Sequence, residues 1–439
     1  MGLVGESGTA RDRLAAIVGS LYVADAPPAL AIDGVPPRFV VRPADAEQVS
    51  GLLALARDEG WAVIPRGSGT ALGLGNPPAR ADLLIDLTRL HRVVEYEPAD
   101  VTVSVEAGIS LEELDRGLGK HAQFLPLDPP GWRARTIGGV LSANASGPLR
   151  TRYGTARDML LGVRFVQADG TVTWGGARVV KSVTGYDVPK LMVGALGTLG
   201  IIVEATLRLH PQPEAEGSWL SWFDSVEAAQ GFLLAVQAST IQPACVEILD
   251  AGALAVLDEA PAPCAVAVSI ASVPAAVRAQ GELLDRLAAR ENGVTTRARE
   301  GFWDAYDAST AGALAAGMVV RTECLPTSIA STLRALESIA RAASLRSRVS
   351  GCGPSGSLRA FLEGDCPADS WRDRVVHALR EQLAPQGGSA IVERCSPALK
   401  ATLDVWGAAD PESFALMRRI KQEFDPSGVL NPGRFVGRL

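Results

Sequence analysis

Cysteine is missing from the first 244 residues of this 439-residue chain, and the six that follow (245, 264, 324, 352, 366 and 395) are widely spaced. Iron–sulfur and zinc sites need closer ligands, so these read as free, buried thiols. Histidine is scarce as well: His91, His121, His210 and His377 stand alone, which argues against a histidine-built metal site. Only five of the 42 basic residues are lysines, a feature of genome composition rather than of surface design. The formal net charge is −7 and no basic cluster occurs, which speaks against nucleic acid as a partner. Long apolar runs are lacking. The one uncharged stretch, residues 260–277, contains Pro261, Pro263 and Pro274 and reads as a buried strand followed by a helix start, not an integral membrane segment. Residues 1–6 have neither a basic start nor an apolar run, so no signal peptide is expected and the protein is assigned to the cytoplasm, with peripheral membrane attachment only through partners. A chain of this length buries large cores, and two domains are the natural expectation.

Glycine, by contrast, is abundant, and three segments concentrate it. The first is Val63-Ile64-Pro65-Arg66-Gly67-Ser68-Gly69-Thr70, continuing to Gly73 and Gly75. Small residues let the backbone approach an anion and turn several N–H groups toward it. A P-loop would end in Gly-Lys-Ser/Thr, whereas Gly69 is followed by Thr70-Ala71. A Rossmann turn would open a helix facing the pyrophosphate, but Asn76-Pro77-Pro78 stops any helix here. This loop must therefore cradle a phosphate with backbone N–H groups alone, which points away from NAD and toward another dinucleotide. The second segment runs from Thr136 through Gly138, Gly139, Ala143, Asn144, Ser146 and Gly147 to Arg150. The third joins Lys181, Gly185-Tyr186-Asp187 and Gly197-Thr198-Leu199-Gly200-Ile201-Ile202. Such density leaves room for a flat ligand lying along the backbone.

With these motifs the chain resembles the FAD-linked oxidase family of vanillyl-alcohol oxidase and p-cresol methylhydroxylase, and within it the FAD-binding subunits of bacterial glycolate oxidases. The C-terminal run Phe424-Asp425-Pro426-Ser427-Gly428-Val429-Leu430-Asn431-Pro432-Gly433-Arg434 matches the family's closing signature. The resemblance implies FAD. Pro65, Arg66, Gly67, Ser68, Gly69 and Thr70 would hold the pyrophosphate. Pro129, in Leu125-Pro126-Leu127-Asp128-Pro129-Pro130, would line the isoalloxazine together with Thr136, Gly138, Gly139, Ala143, Asn144, Ser146 and Gly147. Gly200, Ile201 and Ile202 would take the adenine side, and Asn431 would close the site. Thr136 read without the motif would be a strand hydroxyl bonded to its own backbone. The FAD is expected to be non-covalent: Thr70 stands where attaching relatives place a histidine, and no cysteine precedes Cys245.

The implied fold is α+β: a two-part FAD-binding domain of the p-cresol methylhydroxylase type over residues 30–212, a second α+β domain over 213–405, and a segment over 406–439 returning to the first. Periodicity predicts helices over 11–21, 44–59 and 111–118, and strands over 62–65, 83–86, 102–106, 159–167, 172–174 and 201–209. After Pro213, strands over 220–223, 245–249, 264–271 and 294–296 alternate with helices over 226–238 and 275–289, the split βαβ order. A second round follows: strands over 318–324, 345–350, 358–362 and 390–394, with helices over 328–342 and 371–383. The second domain is thus expected to contain two ferredoxin-like halves forming one antiparallel sheet.

The catalytic side is thin. A cation near the reduced flavin could come from Lys181, Arg150 or Arg434; Lys181, Tyr186 and Arg434 are the catalytic candidates. Metal-dependent hydroxy-acid dehydrogenases of this family carry a histidine-rich strand in the second domain, but residues 349–359 hold no histidine and no acid. The acidic residue before Gly197 is also replaced, by Leu196. No metal site is expected and no general base is evident. Tyr186, Glu247, Glu323 and Glu393 are the groups able to substitute, although each reads first as structural or surface. Two functions compete. One is the flavin subunit of a glycolate or D-2-hydroxy-acid dehydrogenase complex, beside a catalytic flavoprotein and an iron–sulfur subunit. The other is a self-sufficient FAD oxidoreductase for an alcohol or a small hydroxy acid.

Overall fold

The computed structural model describes residues 9–176, 186–312 and 317–439. Its first sheet contains β1 (Val23–Asp25), β2 (Phe39–Val41), β3 (Val63–Arg66) and β4 (Leu83–Asp86) in the order β1-β2-β4-β3. β2, β4 and β3 run parallel, which requires a crossover. The helix Ala46–Glu59 supplies it. Asp45 caps its start by accepting from Gln48 N at 2.8 Å, Gly60 ends it in the left-handed region, and Val49, Leu52, Leu53 and Ala56 face the sheet.

A second sheet is antiparallel: β5 (Val93–Glu97), β6 (Thr102–Glu106), β8 (Leu160–Val166), β9 (Val172–Gly176) and β10 (Ile201–Arg208), ordered β5-β6-β10-β8-β9. The short β7 (Gln123–Phe124) pairs with β11 (His210–Pro211). The chain's end comes back to this half: Val63 N donates to Val429 O at 2.8 Å and Asn431 N to Val63 O at 2.9 Å, so the closing signature extends the free edge of β3.

Eight strands form the third sheet: β12 (Ala215–Phe223), β13 (Cys245–Asp250), β14 (Cys264–Ser272), β15 (Val294–Arg297), β16 (Gly317–Glu323), β17 (Arg346–Cys352), β18 (Ser357–Glu363) and β19 (Ser389–Arg394). Their order, β15-β12-β14-β13-β17-β18-β16-β19, is two ferredoxin-like arrangements joined back to back through β13 and β17. The two-half expectation is met, with boundaries shifted by a few residues. Side-chain alternation then assigns the faces. Val246 and Ile248 of β13, with Leu358, Ala360 and Leu362 of β18, pack into a core under the helices Val226–Ala238, Pro274–Arg290 and Ile329–Ala342. The intervening residues, Cys245, Glu247, Ser357 and Arg359, face the other way.

Several elements escape the sequence pattern, among them the helix Pro411–Phe424. Val93–Glu97 is a strand although mostly exposed, and Ala251–Val256 and Phe302–Ala311 are helices. The helix expected over 371–383 is wound as a π-helix over Ser370–His377 before becoming α-helical. The thiols are free as expected, but Cys366 and Cys395 are only half-buried.

Candidate functional site

The glycine-rich loop after β3 turns without entering a helix, as its prolines require. Its walls pack glycine backbone directly against neighbouring side chains. A Cβ on Gly67 would lie 2.0 Å from Thr136 Oγ1, one on Gly138 2.8 Å from Ala107 Cβ, and one on Gly197 2.6 Å from Pro65 Cγ. Together with Gly139, Ala143, Gly200, Ile201, Ile202, Asn431 and Arg434, these segments line one groove. Thr136 is a helix cap rather than a strand hydroxyl: it accepts from Gly139 N at 3.4 Å and starts the helix Ile137–Ala143.

The groove carries unmet hydrogen-bonding capacity. Among the described residues, the N–H groups of Ser68, Gly69 and Thr70 donate to no protein acceptor. Arg66 Nε, Asn431 Oδ1 and Arg434 Nε and Nη1 are buried without a partner. Buried polar atoms are rarely left so, and this set of donors, with the Asn431 Oδ1 acceptor beside them, around a backbone-lined groove fits an anionic dinucleotide such as FAD. Arg434 is 2% exposed. It spends only Nη2 on the protein, donating to Leu72 O at 2.6 Å and to Leu74 O, and burial lowers its pKa to about 10, opposed by Asp33. Asn431 stands at φ +45° and donates to Leu196 O at 2.5 Å. Asn144, also left-handed, caps its helix and leaves Oδ1 buried and unpaired.

The segment Ser142–Gly147 leads from this groove to a second cavity of about 320 Å³ between the first half of the chain and the eight-stranded sheet. Ser146 and Gly147, expected beside Ala143, belong to this cavity. Its apolar side includes Phe124, Leu125, Leu127 and Trp132. Its polar side gathers Asp128, Arg150, Glu247, Tyr306 and Arg359. Burial pushes the Asp128 carboxyl up to about 7, against the hydrogen bond it accepts from Leu149 N. Tyr306 donates its hydroxyl to Glu247 Oε2, and both side chains are buried. Burial raises the Glu247 carboxyl, while Tyr306, Arg359 and Arg150 pull it down and Asp128 pushes it up; the net direction is upward. Arg359 is held by Glu393 at 2.9 Å. Arg150 has no ion pair or hydrogen-bonding side-chain partner among the described residues. Its neighbours Thr151 and Arg152 tie the helix Arg150–Tyr153 to the sheet, through Cys352 Sγ at 3.4 Å and Ala271 O at 2.8 Å.

Several expectations fail here. Tyr186 is 96% exposed and lies outside both spaces. Pro129 is buried in the wall without lining either one. Lys181 and Gly185 lie outside the described residues. Glu323 and Glu393 are taken up by ion pairs: Arg321 lies 3.3 Å from Glu323 and 3.6 Å from Glu393. Burial opposes ionisation of Glu393, yet Arg359 and Arg321 hold it below the ordinary carboxylate value. The sequence reading missed Tyr306, Trp303 and Thr310. Their i, i+3, i+7 spacing on the helix Phe302–Ala311 is the signal that would have found them.

Residues 37–176 match the FAD binding domain family, and residues 407–435 match the C-terminal domain of FAD linked oxidases. The chain is 26% identical to the glycolate oxidase subunit GlcD of Bacillus subtilis (strain 168), over 92% of this chain and 89% of that protein. It is 28% identical to the mitochondrial D-lactate dehydrogenase [cytochrome] of Arabidopsis thaliana, over 91% of this chain and 73% of that protein. The structure of p-cresol methylhydroxylase with substrate bound superposes with a TM-score of 0.78 at 15% identity, covering 97% of this chain and 95% of that one.

Proposed function

We propose that this chain, whose residues 37–176 match an FAD binding domain family and 407–435 the C-terminal domain of FAD linked oxidases, is an FAD-dependent oxidoreductase acting on CH–OH donors and oxidises a small 2-hydroxy acid in the cavity beside the eight-stranded sheet. The observation that carries this reading is Arg150, a guanidinium with no ion pair or hydrogen-bonded side-chain partner among the described residues, in a space shared with Glu247 and Asp128. An unpaired cation there suits a carboxylate substrate, and the acids suit proton transfer. In this reading residues 30–212 and 406–439 hold the cofactor and 213–405 cap it. The N–H groups of Arg66 to Thr70 take the pyrophosphate, Thr136, Gly138, Gly139 and Ala143 flank the ring system, and Gly200 to Ile202 take the adenine side. Bound FAD supplies the two-electron acceptor for the carbon bearing the hydroxyl. Arg150 binds and orients the acid, and the apolar side of the cavity keeps water from it.

A built, charged cavity favours a chain that handles its own substrate over one that only relays electrons. We propose further that it is the flavoprotein of a hydroxy-acid dehydrogenase that passes electrons to an iron–sulfur partner; its similarity to a protein named as a glycolate oxidase subunit supports a place in a complex. The test is the visible spectrum of the purified holoprotein without oxygen, before and after glycolate, D-lactate and related acids. Bleaching of the flavin bands is expected. A flavin that stays oxidised with every acid overturns this reading in favour of the accessory subunit.

A further inference from the structure

We propose that Glu247, positioned by the Tyr306 hydroxyl, is the group that accepts the substrate's hydroxyl proton. This rests on the reading of the cavity as the place where a hydroxy acid is oxidised. Several acids lie in or near the cavity, and their existing partners separate them. Glu393 is bound by Arg359 and Arg321. Glu323 pairs with Arg321 and accepts from Ser357 Oγ at 3.0 Å. Glu216, Asp115 and Asp304 are exposed, unlike Glu247; Glu216 accepts from Ser269 Oγ at 2.7 Å, Asp307 from Gly131 N at 2.7 Å, and Asp128 from Leu149 N across both of its oxygens. Glu247 has one partner, Tyr306, on Oε2; its Oε1 accepts nothing among the described residues.

The backbone explains why this carboxyl points where it does. Val246 and Ile248 enter the helix-backed core, so the residue between them must project from the opposite face of β13, into the cavity. The partner comes from a separate element, the helix Phe302–Ala311, whose Phe302, Tyr306 and Thr310 form its buried stripe. A base held on one oxygen by a third group and free on the other is the arrangement proton abstraction needs. The charged and titratable groups around it are Cys245 on its own strand, Cys352 opposite it on β17, Arg359 on β18, Tyr306, Arg150 and Asp128.

In the step, the hydroxyl O–H bond breaks and its proton passes to the Glu247 carboxylate. The C2–H bond breaks as a carbonyl forms at C2, and FAD held in the groove of Ser68, Gly69, Thr70 and Arg434 would be the oxidant that accepts the electron pair. The substrate is oxidised by two electrons.

The test uses the holoprotein and its Glu247→Gln and Tyr306→Phe variants, mixed without oxygen with D-lactate and with glycolate. Flavin reduction is followed over a pH series, and the infrared C=O stretch of protonated carboxyl groups is recorded without substrate. Glu247→Gln should keep its flavin, slow reduction by about 100-fold or more, and remove one protonated-carboxyl band. In the wild type the rate should rise with pH as that band disappears, at a pH above the ordinary glutamate range. Tyr306→Phe should keep the band and move both its titration and the rate profile to higher pH. That variant carries the test if Glu247→Gln does not fold. Reduction of Glu247→Gln at the wild-type rate, or an unmoved profile in Tyr306→Phe, overturns the proposal alone. A wild-type flavin that neither acid reduces overturns the cavity reading and this proposal with it.

Discussion

Lys400 and Arg434 grip the same loop by alternate carbonyls. Arg434 Nη2 takes Leu72 O and Leu74 O; Lys400 Nζ takes Gly73 O and Gly75 O, the latter at 3.2 Å. Both side chains are almost fully buried. They differ in what remains. Lys400 is completed by Asp33, 3.0 Å away, whereas Arg434 keeps two N–H groups unpaired at the groove. Lys400 ends the short helix Pro397–Lys400, which comes shortly after β19, so one cation fixes the end of the glycine-rich loop to the eight-stranded sheet while the other fixes it to the closing signature.

This difference predicts a split between stability and cofactor binding. Lys400→Met leaves Asp33 and two carbonyls buried and unpaired, and should cost about 3–5 kcal/mol of stability. Arg434→Met removes donors that only a ligand can use as well as the Leu72 and Leu74 bonds, and should weaken FAD binding by tenfold or more. Thermal melts of the FAD-free proteins and flavin fluorescence titrations separate the two. Equal effects on both readouts in both variants would refute the division of labour.

The groove beside the glycine-rich loop was legible in the sequence because backbone geometry carries it. Gly67, Gly138 and Gly197 are required by contacts with Thr136, Ala107 and Pro65, and a residue type that only one geometry demands can be read without a structure. The ferredoxin-like halves were legible for a similar reason, since alternation along β13 and β18 is a period-two signal. The cavity was not. Glu247, Arg359 and Tyr306 come from elements 53 to 112 residues apart, read from their numbers; the pairing of β13 with β17 and of β17 with β18 brings Glu247 and Arg359 to one face, and the separate helix Phe302–Ala311 brings Tyr306 to it. Tyr186 shows the converse error: it sits inside a matched motif yet points to solvent, because a motif fixes the backbone and not every side chain upon it.

Two glycines of the same loop should respond oppositely to alanine. At Gly67 the new methyl would overlap Thr136 Oγ1, the helix cap, at 2.0 Å. Gly73 has nothing within 4 Å and no positive φ. Gly67→Ala should abolish or strongly reduce flavin retention on purification, while Gly73→Ala should keep full flavin content and a melting temperature close to the parent's. The 450 nm to 280 nm absorbance ratio reads both, and a flavin-replete Gly67→Ala protein would contradict the packing described for this wall.

The Arg150 guanidinium has no partner among the described residues, so its loss should be felt by substrate and not by the fold. Arg150→Ala should leave flavin content unchanged and shift stability by no more than about 0.5 kcal/mol, the range of a substitution without structural contacts. The KM for a reducing hydroxy acid should rise by tenfold or more, since a charge-assisted contact to a carboxylate is worth about 1.5–3 kcal/mol. Arg150→Lys should recover part of this loss. Steady-state kinetics with an artificial electron acceptor measure it; an unchanged KM would remove Arg150 from the substrate site.

Asp128 makes the stability of the protein depend on pH in a particular sense. Burial raises its carboxyl from 3.8 to about 7, so the folded chain holds a proton that the unfolded chain releases. Stability from this group is therefore complete below about pH 4 and is lost as pH rises through about 7. Asp128→Asn keeps an acceptor for Leu149 N and has no proton to lose. The melting temperature of the wild type should fall between pH 5 and about pH 8 more steeply than that of Asp128→Asn. The two curves should converge toward low pH, where Asp128 is neutral in both states. A parallel pair of curves across that window would show that Asp128 is ionised in the folded protein, and that its cavity is wetter than its walls imply.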